Sequence, residues 1–307
     1  MPGQTWTPAE EALLLTLVQQ GKQPFEIYTL FREKGIRRTQ KAVVRKIAES
    51  RARDPQLWRP PIPRSEMPRF NEPMVVTGNV LNLNDIHCPF QDTPWIDRVV
   101  NLAIRWGITK AVIGGDLADM NAFSSYGREA GLDADMELDT LSRFMDALCQ
   151  TFDVYYFAGN HDTRPLRALK DAGLSVKWLM QMFTPSERCH ISDYYWCRLA
   201  SGDSEFQIEH PKNVSVNATV VARRLAEKHH VNVIAGHGHL WGMSYDTSGR
   251  YICIDSGICA DTDRMAYVAL RHNTRPTMIS GAVMVMDGIP ILLGKDNIAF
   301  YESLHRG

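Results

Sequence analysis

Five short runs of the sequence carry oxygen and imidazole side chains at spacings that suit metal ions. In chain order they are Asp85-Ile86-His87, Gly115-Asp116-Leu117-Ala118-Asp119, Gly159-Asn160-His161-Asp162, the single histidine His210, and Gly236-His237-Gly238-His239. Carboxylate, amide and imidazole groups bind hard or borderline divalent metals. Together the five runs predict a two-metal hydrolytic site.

The runs follow stretches that are typical of buried strands. From Met74 onward, strand and helix patterns alternate. The predicted strands are 75–83, 111–113, 154–158, 194–199, 205–210, 231–235, 251–255, 282–286 and 290–293, and the predicted helices are 93–106, 137–152, 165–183 and 218–229. The alternation of strands and helices, followed by several short strands late in the chain, predicts a layered α/β sandwich. In α/β sheets, functional groups collect at the carboxyl ends of strands, so we expect the five runs to meet there.

One member of the set, His210, has no spacing pattern of its own, and His190, His229 and His230 compete with it. The last two end a predicted helix, and His190 lies far from a clear strand end. His210 ends the predicted strand 205–210 and is therefore the favoured fourth element.

The order and spacing of the five runs resemble the calcineurin-like metallophosphoesterases. That family has the pattern DxH, GDxxD, GNHD, a lone histidine and GHxH, and every element is present here. The resemblance implies a layered α/β/β/α sandwich over residues 74–307. It also implies a two-metal phosphoesterase that hydrolyses phosphodiester bonds with a metal-bridging hydroxide.

The resemblance further implies a role for each ligand. Asp85, His87 and His239 would hold one metal; Asn160, His210 and His237 would hold the other. Asp116 would bridge the two ions, since a shared carboxylate offsets their repulsion. Ligands of this kind without thiolate suit Mn²⁺, Fe, Zn²⁺ or Ni²⁺, with Mg²⁺ also open, and we favour Mn²⁺.

Two further residues would act on the substrate. His161 resembles the family histidine beside the leaving-group oxygen, where an imidazolium can donate a proton. Asp162 would orient that ring, and Asp119 would support a metal-binding histidine or the backbone. Tyr126 and Arg128, in the loop after Asp119, and Arg164 are candidate substrate contacts.

Residues 1–50 predict three short helices. The run Trp6-Thr-Pro-Ala-Glu-Glu11 and the start of the third helix, Arg37-Arg-Thr-Gln-Lys-Ala-Val43, resemble a Myb/SANT-like helix-turn-helix module, with Phe25 in place of a second tryptophan. The resemblance implies that the third helix enters the major groove of DNA. Its candidate DNA contacts are Arg37, Arg38, Lys41, Arg45 and Lys46. The alternative is a docking domain whose basic face is only solvated.

Charge is distributed unevenly along the chain. Residues 1–72 hold 13 basic and 8 acidic residues, a balance of +5, whereas the remainder holds 21 and 27, a balance of −6. A linker rich in proline and arginine is predicted over residues 51–73, where dense proline keeps the chain extended. The basic first part favours DNA as the partner.

The remaining features of the sequence concern the cellular location of the protein. No secretory signal is recognisable at the start of the sequence, and no apolar run approaches the length of about 20 residues that spans a bilayer. The six cysteines are scattered, which is typical of reduced thiols. We expect a cytoplasmic protein that does not enter a membrane, and a homo-oligomer is possible under these observations.

Three functions follow in order of preference. The first is a DNA nuclease targeted by its basic N-terminal module. The second is a phosphatase or nucleotide phosphodiesterase that acts on a small or protein substrate. The third is a DNA-binding or scaffold protein with a vestigial site.

Overall fold

The computed structural model describes residues 5–61, 70–124, 132–168, 175–184, 186–265, 268 and 277–304. The chain divides into two compact units, Met1–Phe70 and Asn71–Gly307. None of the helices in the described ranges combines the length and the hydropathy of a membrane span.

The first unit is built from three helices, α1 (Pro8–Gln19), α2 (Pro24–Glu33) and α3 (Gln40–Arg53). The helix α1 begins with a capping box, in which the Thr7 hydroxyl accepts from the backbone of Glu10 and the Glu10 carboxylate accepts from the backbone of Thr7. The apolar faces of the three helices form one core. Its buried members include Leu14, Val18, Ile27, Phe31, Val43, Ile47 and Trp58.

The helical unit is longer than the sequence predicts. We expected a linker from residue 51, but α3 continues to Arg53 and Trp58 is buried in the helical core. The Arg51 guanidinium donates to the carbonyl of Trp58, and the Asp54 carboxylate accepts from the backbone of Leu57. The helix ends just before Pro55, because a proline disfavours helical backbone at the residue that precedes it. The turn after Pro55 still packs against the helical unit through Trp58.

The second unit contains two six-stranded sheets. The first sheet has the strand order β1-β6-β7-β8-β10-β9 and the second has β12-β11-β2-β3-β4-β5. The strands are β1 (Val75–Thr77), β2 (Val80–Leu83), β3 (Lys110–Gly114), β4 (Asp153–Phe157), β5 (Cys189–Ile191), β6 (Trp196–Ser201), β7 (Ser204–Glu209), β8 (Asn232–Ala235), β9 (Trp241–Tyr245), β10 (Ile252–Ser256), β11 (Gly281–Met286) and β12 (Ile289–Gly294). Neighbouring strands run parallel along β2, β3, β4 and β5 in the second sheet and along β7, β8 and β10 in the first.

Helices cover the outer faces of both sheets. The helices of the second unit are α4 (Thr93–Arg105), α5 (Ala134–Thr151), α6 (Arg164–Ala168), α7 (Val176–Phe183), α8 (Val220–His229) and α9 (Ile298–Ser303). Side chains of both sheets, such as Phe157 and Ile208, share one buried cluster between the sheets. On the outer face of the second sheet lie α4, α5, α7 and α9, while Ala222 and Ala226 of α8 pack on the first sheet. The α/β/β/α layering predicted from the sequence is therefore confirmed.

Several predicted elements differ in detail. The single strand expected over 75–83 is two strands, β1 and β2, which lie in different sheets and are separated at Gly78, whose φ of 88° ends the first strand. The helix expected over 165–183 is two helices, α6 and α7, and α8 begins at Val220. The sequence patterns did not predict β5, β9 or α9.

Candidate metal centre

Five parallel strands deliver the predicted ligands to one region. These strands end at Leu83, Gly114, Phe157, Glu209 and Ala235, and each is followed within three residues by a predicted ligand. Both sheets contribute, since β2, β3 and β4 belong to the second sheet and β7 and β8 to the first. The parallel direction of these strands explains why their carboxyl ends meet.

The first ligand group consists of Asp85, His87 and His239, whose ligand atoms all lie within 4.8 Å of one another. The Nε2 atom of His239 is 3.2 Å from Oδ1 of Asp85, and Nε2 of His87 is 4.0 Å from the same oxygen. All three residues are buried. Two imidazole nitrogens therefore converge on one carboxylate.

The second ligand group consists of Asp116, His210 and His237, which also lie within 4.8 Å of one another. The Nε2 atom of His210 is 3.3 Å from Oδ2 of Asp116 and 3.2 Å from Oδ1 of Asn160. The same Asp116 oxygen is 3.9 Å from Nε2 of His87 in the first group. Asp116 thus lies between the two groups.

Two buried atoms at this junction have no hydrogen-bond partner: Nε2 of His87 and Oδ2 of Asp116. A buried polar atom left unpaired costs about 1–3 kcal/mol, so such atoms call for a partner. A divalent cation would satisfy a ring nitrogen and a carboxylate oxygen together. The residues therefore fit a metal centre.

Other groups orient the histidine rings. The Nδ1 atom of His87 lies 3.0 Å from Oδ1 of Asp119, and Nδ1 of His210 lies 3.1 Å from the carbonyl oxygen of Gly114. When Nδ1 donates its hydrogen, Nε2 is left as the metal ligand. The Nδ1 atom of His239 lies 3.3 Å from the sulfur of Met278, a partner that no sequence pattern predicted because it is distant along the chain.

The backbone is strained where the ligands lie. Nine described non-glycine residues have positive φ, and five of them are predicted ligands. Those five are Asp85 (53°), His87 (50°), Asp116 (48°), His237 (66°) and His239 (55°). Left-handed backbone is costly for such residues and collects at functional sites. The concentration of strain here supports a functional role for this region.

Charge and burial shift the pKa values of the side chains in the second ligand group. Burial alone would raise the pKa of Asp116, but the nearby His210 and His161 hold that pKa well below its usual value. Burial opposes protonation of His210, yet the Asp116 carboxylate outweighs it and raises the pKa of His210 to about 9. Burial, together with the charge of His210, lowers the pKa of His237 to about 4. Metal binding would therefore displace a proton from His210, while His237 is already neutral at pH 7.

His161 lies at the edge of the centre. Its Nδ1 atom is 2.9 Å from Oδ1 of Asp119, and its Nε2 atom is 3.9 Å from Oδ2 of Asp116. Burial lowers the pKa of His161, but the Asp116 and Asp119 carboxylates outweigh that effect and raise it. Asp119 thus holds the His161 ring, in addition to the His87 ring.

Asp162 has a different position from the one predicted. We expected Asp162 to orient His161, but its carboxylate accepts from the backbone N–H groups of Ala118 (2.9 Å) and Gly159 (2.7 Å). It therefore joins the loop after β3 to the loop after β4. Burial, with the nearby charge of Asp116, raises the pKa of Asp162 to about 6.

One of the three candidate substrate contacts, Arg164, lies within the described residues. Tyr126 and Arg128 lie outside the described residues. Arg164 lies beside His161, where its Nη2 atom is 3.1 Å from Nε2 of the ring. The structure therefore brings one of the three to the centre.

The five candidate DNA contacts are of two kinds. Arg38 donates to both carboxylate oxygens of Glu10, and its guanidinium lies 4.7 Å from the centre of the Trp6 ring. Lys46 is buried and pairs with Glu11. These two cations serve the interior of the helical unit rather than its surface. The other three, Arg37, Lys41 and Arg45, are exposed.

Comparisons with known proteins give fold likeness alone. No family model and no curated protein matches the chain. Among solved structures, a single mutant of Vps29 from Entamoeba histolytica has 12% identity and a TM-score of 0.35, covering 70% of this chain and 97% of that chain. Vps29 from Chaetomium thermophilum has 10% identity and a TM-score of 0.35, covering 67% and 80%. Vacuolar Protein Sorting 29 from Cryptosporidium parvum has 12% identity and a TM-score of 0.34, covering 70% and 95%. Values this low carry no information about activity.

Proposed function

We propose that this protein is a metal-dependent phosphoesterase whose site holds two divalent ions. One observation carries the proposal: the Asp116 carboxylate lies between two groups of buried ligand atoms. Two cations held about 3.5–4 Å apart repel each other, and a shared carboxylate offsets that repulsion. The position of Asp116 between the two groups supports such a bridge.

The ligands divide between the ions as follows. Asp85, His87 and His239 would hold one ion, Asn160, His210 and His237 would hold the other, and Asp116 would be shared. Ions in such a site, when bound, lower the pKa of water and offset charge on phosphoryl oxygens. We propose Mn²⁺, because mixed oxygen and imidazole donors without thiolate suit it.

The chain supplies orientation and exclusion of water around this centre. Asp119 fixes the rings of His87 and His161, and the backbone N–H of His237 donates to Oδ2 of Asp85 at 2.9 Å. Asp85, His87 and Asp119 are 0% exposed, so the ligands lie in an interior of low dielectric. His161 and Arg164 provide hydrogen-bonding groups on one side of the centre, where the leaving group of an in-line displacement would depart.

We further propose that the natural ester is DNA. Lys41 and Arg45 are exposed one turn apart on α3, and Arg37 is exposed just before that helix. Such a helix, presented by a small three-helix unit, suits the major groove, and exposed cations suit phosphates. Arg45 also pairs with Glu49 at 2.7 Å, but an exposed pair of this kind is weak and yields to a phosphate.

The test is hydrolysis by the full-length protein with Mn²⁺. Labelled single- and double-stranded DNA would be compared with bis-p-nitrophenyl phosphate and mononucleotides, and Asp85→Ala is the control. We expect cleavage of DNA and of the aryl ester, both lost in the variant. Hydrolysis of the small esters alone would favour a phosphatase or nucleotide phosphodiesterase. DNA binding without hydrolysis under Mn²⁺, Fe²⁺, Zn²⁺, Ni²⁺ or Mg²⁺ would favour a scaffold with a vestigial site.

A further inference from the structure

The candidate metal centre is more open to solvent at its second ligand group than at its first. In the first group, Asp85, His87 and His239 are all buried. In the second group His237 is only partly buried, and so is Asn160 beside it. A substrate that reaches the centre must therefore approach over the second group.

An exposed tyrosine, Tyr195, lies beside this opening. The backbone N–H of His210 donates to the carbonyl oxygen of Tyr195 at 3.1 Å, which extends the antiparallel pairing of β6 and β7 by one residue pair beyond Trp196 and Glu209. Residues that lie directly opposite each other in an antiparallel pair have their side chains on the same face of the sheet. Tyr195 therefore shares a face with the candidate ligand His210, at the edge of the sheet where the ligands lie.

This face is the one that looks into the sandwich. Alternate residues of a strand share a face, and two of them on β6, Cys197 and Leu199, are 0% exposed in the cluster between the sheets. Tyr195 is the next residue in the same series, but it is 49% exposed. The interior face thus ends in an aromatic side chain that a molecule approaching the second ligand group can contact.

We propose that Tyr195 binds the substrate by stacking on a nucleobase, so that the centre acts on unpaired DNA. The inference rests on the proposed phosphoesterase function and names its substrate class as single-stranded DNA. Every base offers a flat face to an aromatic ring, and one such stack raises affinity by about tenfold to a hundredfold. In a duplex the neighbouring bases cover both faces, so only a base outside the stack can meet Tyr195. Binding of duplex DNA by α3 concerns the other unit of the chain.

Stacking supplies a selectivity that the ligand set lacks. Divalent ions held by carboxylates and imidazoles act on the phosphoryl group of an ester, whatever its substituents are. The ring of Tyr195 takes no part in breaking the ester bond, but it favours esters that carry a planar base. Loss of the ring should therefore raise KM for single-stranded DNA and leave kcat nearly unchanged.

Two small probes test the stacking without any turnover. Deoxyadenosine 5′-monophosphate and 2-deoxyribose 5-phosphate share a phosphate group and differ by the base, and calorimetry would give their affinities for the full-length protein in Mn²⁺. We expect wild type to bind the nucleotide about tenfold or more tightly than the sugar phosphate. Tyr195→Phe should keep this difference, because a phenyl ring also stacks, and Tyr195→Ala should lose it.

Tyr245→Ala is the matched control and should behave as wild type does. Tyr245 is 60% exposed, and its partner Ile252 begins β10, so it lies at the opposite edge of the sheet from the ligands. On a single-stranded oligonucleotide, we expect Tyr195→Ala to raise KM about tenfold to a hundredfold with kcat within about twofold of wild type. Tyr195→Phe should match wild type in both constants.

The outcomes separate this inference from the proposed function. Equal affinity of wild type for the two probes, binding of neither probe, or equal behaviour of Tyr195→Ala and Tyr245→Ala would overturn the stacking role. Wild type that prefers the nucleotide through Tyr195 but hydrolyses no ester would overturn the phosphoesterase function and leave the base-stacking site in place.

Discussion

A single oxygen atom, Oδ1 of Asp119, accepts hydrogen bonds from two imidazoles. It lies 3.0 Å from Nδ1 of His87 and 2.9 Å from Nδ1 of His161. The first ring belongs to the candidate metal ligands and the second to the leaving-group side of the centre. Because one carboxylate sets the orientation of both rings, Asp119 would couple metal binding to substrate binding in the proposed phosphoesterase.

Removal of the shared carboxylate should empty both metal positions. We expect Asp116→Ala to retain fewer than one ion per chain, since the two ions would then repel each other without a bridging anion. Metal content after gel filtration in Mn²⁺, measured by elemental analysis, is the readout. Asp203→Ala, at an exposed position, is the matched control and should bind as wild type does. Two ions per chain in Asp116→Ala would refute the bridging role.

Asp255 should make stability depend on pH. Burial raises the pKa of this carboxyl from 3.8 to about 6, although its Oδ2 atom accepts from the backbone of Thr219. The folded state therefore holds a proton that the unfolded state releases. The associated stability is fully present below pH 3.8 and is lost as the pH rises through about 6. The difference between the two pKa values corresponds to roughly 3 kcal/mol.

The variant Asp255→Asn is neutral at every pH and keeps a side-chain acceptor for Thr219. We expect its urea midpoint to exceed that of wild type above pH 7 and to approach it near pH 4. Chemical unfolding of metal-free protein across this range is the measurement. Parallel pH profiles for the two proteins would show that Asp255 does not titrate as described.

The sequence could predict which side chains can bind metal, but it could not predict which residues each charged side chain contacts. Asp85-Ile86-His87 and the other runs indicate which side chains can bind metal, because that depends on residue chemistry alone. The partners of Arg38 and Lys46 depend on how three helices pack, and these cations pair with Glu10 and Glu11 inside the unit. The same limit explains why Asp162 was expected at His161 and instead joins two backbone loops.

At the scale of elements, the strand ends were predictable and the strand partners were not. Apolar runs before each motif indicate buried strands, and parallel strands must end at a common edge. The segment from Val75 to Leu83 reads as one strand because its apolar residues continue on both sides of Gly78. The backbone turns at Gly78, which has a positive φ, and the strands on either side of it lie in different sheets. The strand β9 was missed because Trp241–Tyr245 lies at a sheet edge, half-exposed, with little apolar pattern.

The loops at these strand ends pack so closely that one methyl group should disrupt them. A Cβ atom at Gly159 would lie 2.1 Å from Oδ1 and 2.4 Å from the backbone nitrogen of Asp116. Gly159→Ala must therefore push the loop after β4 away from the Asp116 carboxylate. We expect at least a tenfold loss of metal affinity, measured by calorimetric titration with Mn²⁺.

Gly238→Ala is the matched control, because a Cβ atom there would meet nothing closer than Leu240 Cγ at 4.0 Å. Gly238 also lies between two predicted ligands, so the control shares the chemistry of the site. We expect its metal affinity to stay within about twofold of wild type. Equal losses in the two variants would mean that close packing at Gly159 is not the cause.

At the scale of the whole molecule, the chain joins a basic helical unit to an acidic α/β unit. The balance of +5 over residues 1–72 and −6 over the remainder gives the two parts opposite electrostatic preferences. A polyanion is attracted by the first and repelled by the second at long range. If DNA is the substrate, as proposed, its binding should depend on salt through the helical unit.

Neutralising the exposed cations of the helical unit should weaken DNA binding. For the triple variant Arg37→Gln, Lys41→Gln, Arg45→Gln, we expect the slope of log affinity against log salt to fall in magnitude by about three, one for each phosphate contact. Fluorescence anisotropy with labelled duplex DNA is the measurement. The control is Arg223→Gln, Arg224→Gln, Lys228→Gln on α8, which removes equal charge from exposed positions of the other unit. Equal effects of the two triples would argue against a dedicated DNA surface.

The ligands come from both sheets of the sandwich, with Asp85 and Asp116 following strands of one sheet and His210 and His237 following strands of the other. An ion held by both sets can bind only while the sheets are stacked, so it acts as a cross-link that the unfolded chain lacks. At a free concentration of 100 times the dissociation constant, each ion adds about 2.7 kcal/mol to the free energy of unfolding. Two such ions would supply an amount comparable to the whole stability of a marginal domain. The fraction of this protein that is folded would then follow the supply of metal around it.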